Sequence, residues 1–141
     1  MEYAIHTLLA RTAHVQQNAM RPYLQKLGLT TGQPKVLRCL AMNGPCSQRM
    51  LADYCEVDPA VICRMLDPLE RSGFLTRKQS QKDRRQGEVA LTEKGKATFA
   101  AWEEEYEKFE SRMLAGFSDE ERKALAGFLK RAYRNVGGRL L

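Results

Sequence analysis

Between Arg71 and Arg85 the chain carries six cations, Arg71, Arg77, Lys78, Lys82, Arg84 and Arg85, against one anion, Asp83. The run lies between two apolar stretches, Phe74-Leu75-Thr76-Arg77 and Glu88-Val89-Ala90-Leu91, which read as strands joined by the polar segment from Gln79 to Gly87. A hairpin tipped with guanidinium and ammonium groups suits a polyphosphate, because each cation seated on a phosphate releases a condensed counterion. Charge runs alone are ordinary solvated surface, so the neighbouring elements must decide what this one is for.

Those neighbours are helical. Thr30 with Gln33 three residues on predicts a capping box, and Pro34 suits a first helical turn, with Val36, Leu37 and Leu40 facing a core. Asn43-Gly44-Pro45 is a break, after which Ser47 caps a short third helix carrying Met50, Leu51 and Tyr54. Asp58 followed by Pro59 starts a fourth, with Ile62, Met65, Leu66 and Leu69 inward and Gly73 as its stop. Three short helices and a hairpin make a winged helix-turn-helix, in which the fourth helix fits a major groove and the wing tip reaches the adjacent minor groove or backbone.

Longer helices flank this block. Residues 3 to 27 read as a first helix, with Ala4, Leu8, Ala13, Met20, Leu24 and Leu27 apolar and a kink expected at Pro22. Thr92 caps a long fifth helix on which Phe99, Trp102, Tyr106, Phe109 and Met113 recur at steps of three and four. Gly116 ends it, Ser118 and Glu121 form another capping box, and the last helix aligns Leu125, Phe128, Leu129, Ala132 and Val136 on one stripe. The expected fold is mainly α with a small β-wing: a winged helix-turn-helix at 30–95, a dimerisation helix at 1–29 and dimerisation helices at 96–141. A single subunit has too little core to hide all three apolar stripes, which predicts a homodimer.

Composition narrows the partners. The formal charge of +6 arises before residue 97, since residues 97–141 hold eight cations and eight anions. That balance favours a polyanion. No Gly-rich phosphate loop, nucleophile elbow or His-Glu-x-x-His occurs, so no enzyme activity and no cofactor are expected. Cys39, Cys46, Cys55 and Cys63 have no CxxC spacing, and His6 and His14 stand eight apart without further ligands, so no metal is expected. The absence of a signal pattern or an 18-residue apolar stretch predicts no membrane partner, a cytoplasmic location and reduced thiols.

Four segments together carry a resemblance: Leu29-Thr30-x-x-Gln33-x-x-Val36-Leu37, Leu51-Ala52, Arg64-x-x-Asp67-x-Leu69-Glu70-x-x-Gly73, and Asp83-Arg84-Arg85-x-x-x-Val89-x-Leu91-Thr92-x-x-Gly95. The chain resembles the MarR family of transcriptional regulators. The resemblance implies a homodimer joined through its first and last helices, bound to an inverted-repeat operator in double-stranded DNA and often released by a small aromatic effector. It matches Asp83 and Arg85 to the wing's acid and DNA-contacting arginine, with Lys82 and Arg84 at the tip; Arg77, a cation of the same basic run, is expected to contact DNA as well. Ser47 and Gln48 match the start of the third helix, where exposed amides meet phosphate. Ala60, Val61, Cys63 and Arg64 occupy the first turns of the reading helix, and Arg64 alone among them can take guanine bidentately. The ligand site is not assigned.

Two positions depart from the family's pattern. Cys63 stands where Ser or Thr is usual, and Pro68 replaces a basic residue and predicts a bend in the fourth helix. With Ala60, Val61 and Cys63 forward, readout relies on thymine methyls and duplex shape, which suggests an AT-rich operator. Two alternatives remain: a winged helix working only through protein contacts, and a regulator sensing oxidants through Cys63.

Overall fold

Capping chemistry sets several of the element boundaries. The computed structural model describes residues 4–79 and 87–139. Its elements run α1 (Ile5–Lys26), α2 (Gln33–Asn43), β1 (Cys46–Ser47), α3 (Gln48–Cys55), α4 (Pro59–Arg71), β2 (Leu75–Gln79), β3 (Gly87–Leu91), α5 (Glu93–Met113) and α6 (Asp119–Asn135). The molecule is therefore mainly α with a small antiparallel wing sheet.

The caps expected at Ser47 and Ser118 form. Ser47 Oγ accepts from the Met50 amide at 3.2 Å, and Ser118 and Glu121 exchange both bonds of a capping box. Two others differ from expectation. At α2 only the return bond is made, Thr30 N–H to Gln33 Oε1 at 2.8 Å, because the helix starts later, after Gly32 at φ 90°. Asp58 precedes α4 without a side-chain cap bond, which leaves it only the favourable charge at the positive helix end. Neither proline splits its helix: α1 runs through Pro22 and α4 through Pro68. Pro22 and Asn18 both lie on the exposed face of α1, so the carbonyl freed there can turn to water.

The short strand β1 was not legible in the sequence. It pairs Cys46 with Val89 and Ser47 with Glu88, which gives a three-stranded sheet ordered β1-β3-β2. The wing strands pair from Leu75–Leu91 to Gln79–Gly87. Around this sheet Val36, Leu37, Cys39, Leu40, Leu51, Ala52, Cys55, Ile62, Leu66, Leu69, Phe74, Leu75 and Val89 are buried. Each large aliphatic side chain in that set contributes about 1.5–3 kcal/mol by leaving water. On α3 the inward residues are Leu51, Ala52 and Cys55; Met50 and Tyr54 are half-buried.

Two turns fasten the wing base. Gly73, at φ 82°, ends α4 in a left-handed turn in which Phe74 N–H reaches the Leu69 carbonyl at 2.9 Å and Gly73 N–H the Glu70 carbonyl at 3.0 Å. Thr92 then ties the start of α5 to that turn: its hydroxyl donates to the Gly73 carbonyl at 2.5 Å and accepts from the Gly95 amide at 3.1 Å. Gly95 is required here, because a Cβ would lie 2.0 Å from the Phe74 carbonyl oxygen.

The chain divides into two compact units, Met1–Tyr106 and Glu107–Leu141, and α5 runs from the first into the second. In the first, α1 buries only Met20 and Leu24, while Ile5, Leu8, Leu9 and Val15 are exposed. In the second, α6 is 17 residues long and buries none of them, with Phe128 62% exposed, and Val136 just past its end is 85% exposed. Of the aromatic run on α5 only Trp102 is buried, meeting Tyr106 edge to face at 5.4 Å.

Candidate nucleic-acid interface

The outward face of α4 follows from its burial pattern. Ile62, Leu66 and Leu69 point into the core, which turns Ala60, Cys63 and Arg64 outward and leaves Val61 half-buried at the edge. The exposed set thus offers a short apolar surface and one guanidinium, a combination suited to thymine methyls and to guanine respectively. Ser47 and Gln48 open α3, both half-exposed, with Ser47 Oγ already bonded to the Met50 amide. Arg49, beside them and exposed, adds a cation that the motif comparison did not single out. Its signal was available, a lone arginine in the first turn of the third helix.

The wing divides its cations differently. Lys78 is exposed on β2 and faces Glu88 across the ladder, an opposite-charge pair in register. Arg77 points to α4 instead. Its Nη2 lies 2.5 Å from Asp67 Oδ1 and 3.1 Å from Glu70 Oε1, and its backbone amide donates to Glu70 Oε2 at 3.0 Å. The guanidinium hydrogen bond holds the Glu70 carboxyl below the usual carboxylate range, and the two acids raise the Arg77 guanidinium above its ordinary value. Lys82, Asp83, Arg84 and Arg85, the expected wing tip, lie outside the described residues.

The cysteines fall into two environments. Cys39, Cys46 and Cys55 are buried and Cys63 is exposed on α4. Burial raises the Cys39 thiol and pushes Cys46 up to about 12 and Cys55 up to about 11. These three are core groups, poor in thiolate at neutral pH. Among the described residues, no group of three or more His, Cys, Asp or Glu is placed to hold a metal ion, and no helix is long and apolar enough to cross a membrane.

Known proteins share this arrangement. The MarR family model matches residues 29–86, which run from just before α2 to just before β3. The uncharacterized HTH-type transcriptional regulator YwoH of Bacillus subtilis (strain 168) is 31% identical over 84% of this chain and 81% of its own length. This chain belongs to the MarR family. The HTH-type transcriptional regulator BilQ of Clostridium symbiosum (strain WAL-14163) is 30% identical over 77% of this chain and 75% of its own. The crystal structure of the transcriptional regulator SlyA superposes with a TM-score of 0.87 at 26% identity, covering 95% of this chain and 94% of that one. This MarR-family protein is accordingly a DNA-binding transcriptional regulator with a winged helix-turn-helix, and not an enzyme.

Proposed function

We propose that this MarR-family protein is a cytoplasmic homodimer that binds an inverted-repeat operator, represses where that operator overlaps a promoter, and lets go when a small aromatic effector binds. The outward face of α4 carries this reading. Ala60, Val61, Cys63 and Arg64 meet base edges, Ser47 and Gln48 meet phosphate, and Lys82, Arg84 and Arg85 of the wing, with Asp83 orienting an arginine, track the adjacent groove. Residues 30–95 then form the DNA-binding region and 1–29 with 96–141 the dimerisation region.

The homodimer is supported by apolar surface that the described chain leaves uncovered, on α1 at Ile5, Leu8, Leu9 and Val15 and on α6 at Phe128 and Leu129. A two-fold pair sets the two reading helices about 34 Å apart, one turn of duplex. The effector reading is supported by the wall between α2 and α5. There Arg38 pairs with Glu103 and stands 5.5 Å over the Phe99 ring, which offers an aromatic acid both a stacking surface and a cation.

The test is a selected duplex titrated at several salt concentrations. Wild-type affinity falls steeply with salt, replacing both Arg84 and Arg85 with Ala flattens the slope by about one charge per arginine, and Arg64→Ala also relaxes sequence preference. Aromatic carboxylates that raise the melting temperature are expected to release that duplex as well. No duplex affinity at low salt would leave the protein-contact reading in its place.

A further inference from the structure

We propose that Arg77 is a positioning residue that sets the angle between the wing and the reading helix, and that it does so through Asp67 and Glu70 rather than by touching DNA. The proposal rests on the DNA-binding reading above. Arg77 follows Glu70 by seven residues, and between them the chain reverses at Gly73. A strand leaving a helix through one left-handed turn is hinged there, so a second attachment is needed to hold its direction. The Arg77 fork supplies it: both Nη2 contacts and the backbone amide of the same residue end on carboxylates of α4. The chain leaving the other wing strand is fastened separately, by the Thr92 hydroxyl donating to the Gly73 carbonyl and by Lys94 Nζ, on α5, donating to the Ser72 carbonyl at 2.6 Å. Both strands are thereby tied to the C-terminal end of α4.

The position of the acids on the helix matters. Asp67 follows Cys63 by four residues and Arg64 by three, so it stands on the same stripe one turn along. The clamp therefore begins where the reading face ends, and any rotation of the wing is referred directly to the residues that meet the bases. Charge points the same way. One guanidinium shared by two carboxylates leaves a net negative cluster, which repels phosphate and so suits a structural role better than a DNA contact. Arg77 side-chain exposure is 22%, the lowest of the three partners, as expected for the member on which both acids converge.

The two roles predict opposite signs. Glu70→Gln removes a negative charge from a DNA-binding surface, so electrostatics alone tightens binding; a clamp predicts weaker binding to a 30-bp duplex, a length of about three helical turns, recovered by selection with the wild-type protein. The expected loss is about tenfold, as for two side chains in one hydrogen-bond network. Arg77→Gln loses a similar factor, and the double variant loses no more than either alone. Arg77→Lys behaves like Arg77→Gln, because an ammonium keeps the charge without the planar fork. On a random duplex Arg77→Gln keeps the wild-type salt slope. Tighter binding by Glu70→Gln, wild-type affinity in Arg77→Lys, or a salt slope flattened by about one charge in Arg77→Gln would each overturn the clamp. Should Arg77→Gln melt below the assay temperature, Glu70→Gln decides by its sign. Failure of the wild type to bind any duplex would instead strike the DNA-binding reading itself.

Discussion

At the scale of single residues, steric approach and burial govern the outcomes. Gly95 packs its backbone against the Phe74 carbonyl, so Gly95→Ala must displace the turn that joins α4, β2 and α5. A loss of about 3 kcal/mol in urea unfolding is expected, at the upper end of ordinary overpacking because the obstructing atom is backbone. The Leu91-Thr92-x-x-Gly95 segment that helped mark the family thus has a packing cause. The thiols give a second test. With Cys63 exposed and three others buried, a thiol reagent should modify one cysteine quickly in the native protein and four after unfolding. Because burial raises the folded-state values of Cys46 and Cys55, their contribution to stability is complete below the unfolded thiol value of about 8.5. It is lost as pH rises towards about 11 for Cys55 and about 12 for Cys46. Stability rising with pH above 9, a round value just beyond the thiol range, would contradict that burial.

Among elements, those with a local cause were legible. Ser47, Ser118 with Glu121, and Gly73 each predicted a boundary from the orphan amides and carbonyls of a helix end, and each boundary stands. The strand β1 was hidden because two residues carry no alternation; its existence depends on the free edge of β3. The continuity of α1 through Pro22 and of α4 through Pro68 was read from their apolar spacing on either side of each proline, since packing and solvent can compensate one missing amide. The stripe of α6 has a direct consequence. Seventeen residues with none buried need a covering surface, which the proposed dimer supplies. Replacing Phe128 and Leu129 together with Asp is expected to weaken self-association by at least about tenfold in sedimentation, while the wing block keeps its fold. A variant that sediments as wild type would remove α6 from the interface.

For the whole molecule, charge and symmetry work together. The net cationic surplus before residue 97 draws the protein to duplex DNA, and steering of that kind weakens with salt over a Debye length of about 10 Å at 0.1 M. Specificity is a separate matter, because Arg64 is the one strong hydrogen-bond donor among the four expected reading residues. The proposed two-fold pair doubles its contribution and adds a spacing requirement. Duplexes whose half-sites are moved apart by half a turn, about 5 bp, should therefore bind no better than a single half-site.

By itself the amino-acid order determined the helix caps at Ser47 and Ser118, the main inward residues of α2 and α4, and the family, since these depend on short segments whose residues lie close together along the chain. Tertiary structure decided which cations are available and which are spent. Arg77 and Lys78 are neighbours of the same charge class in the same strand, and they part only because successive side chains of a strand point to opposite faces and α4 presents Asp67 and Glu70 to one of them.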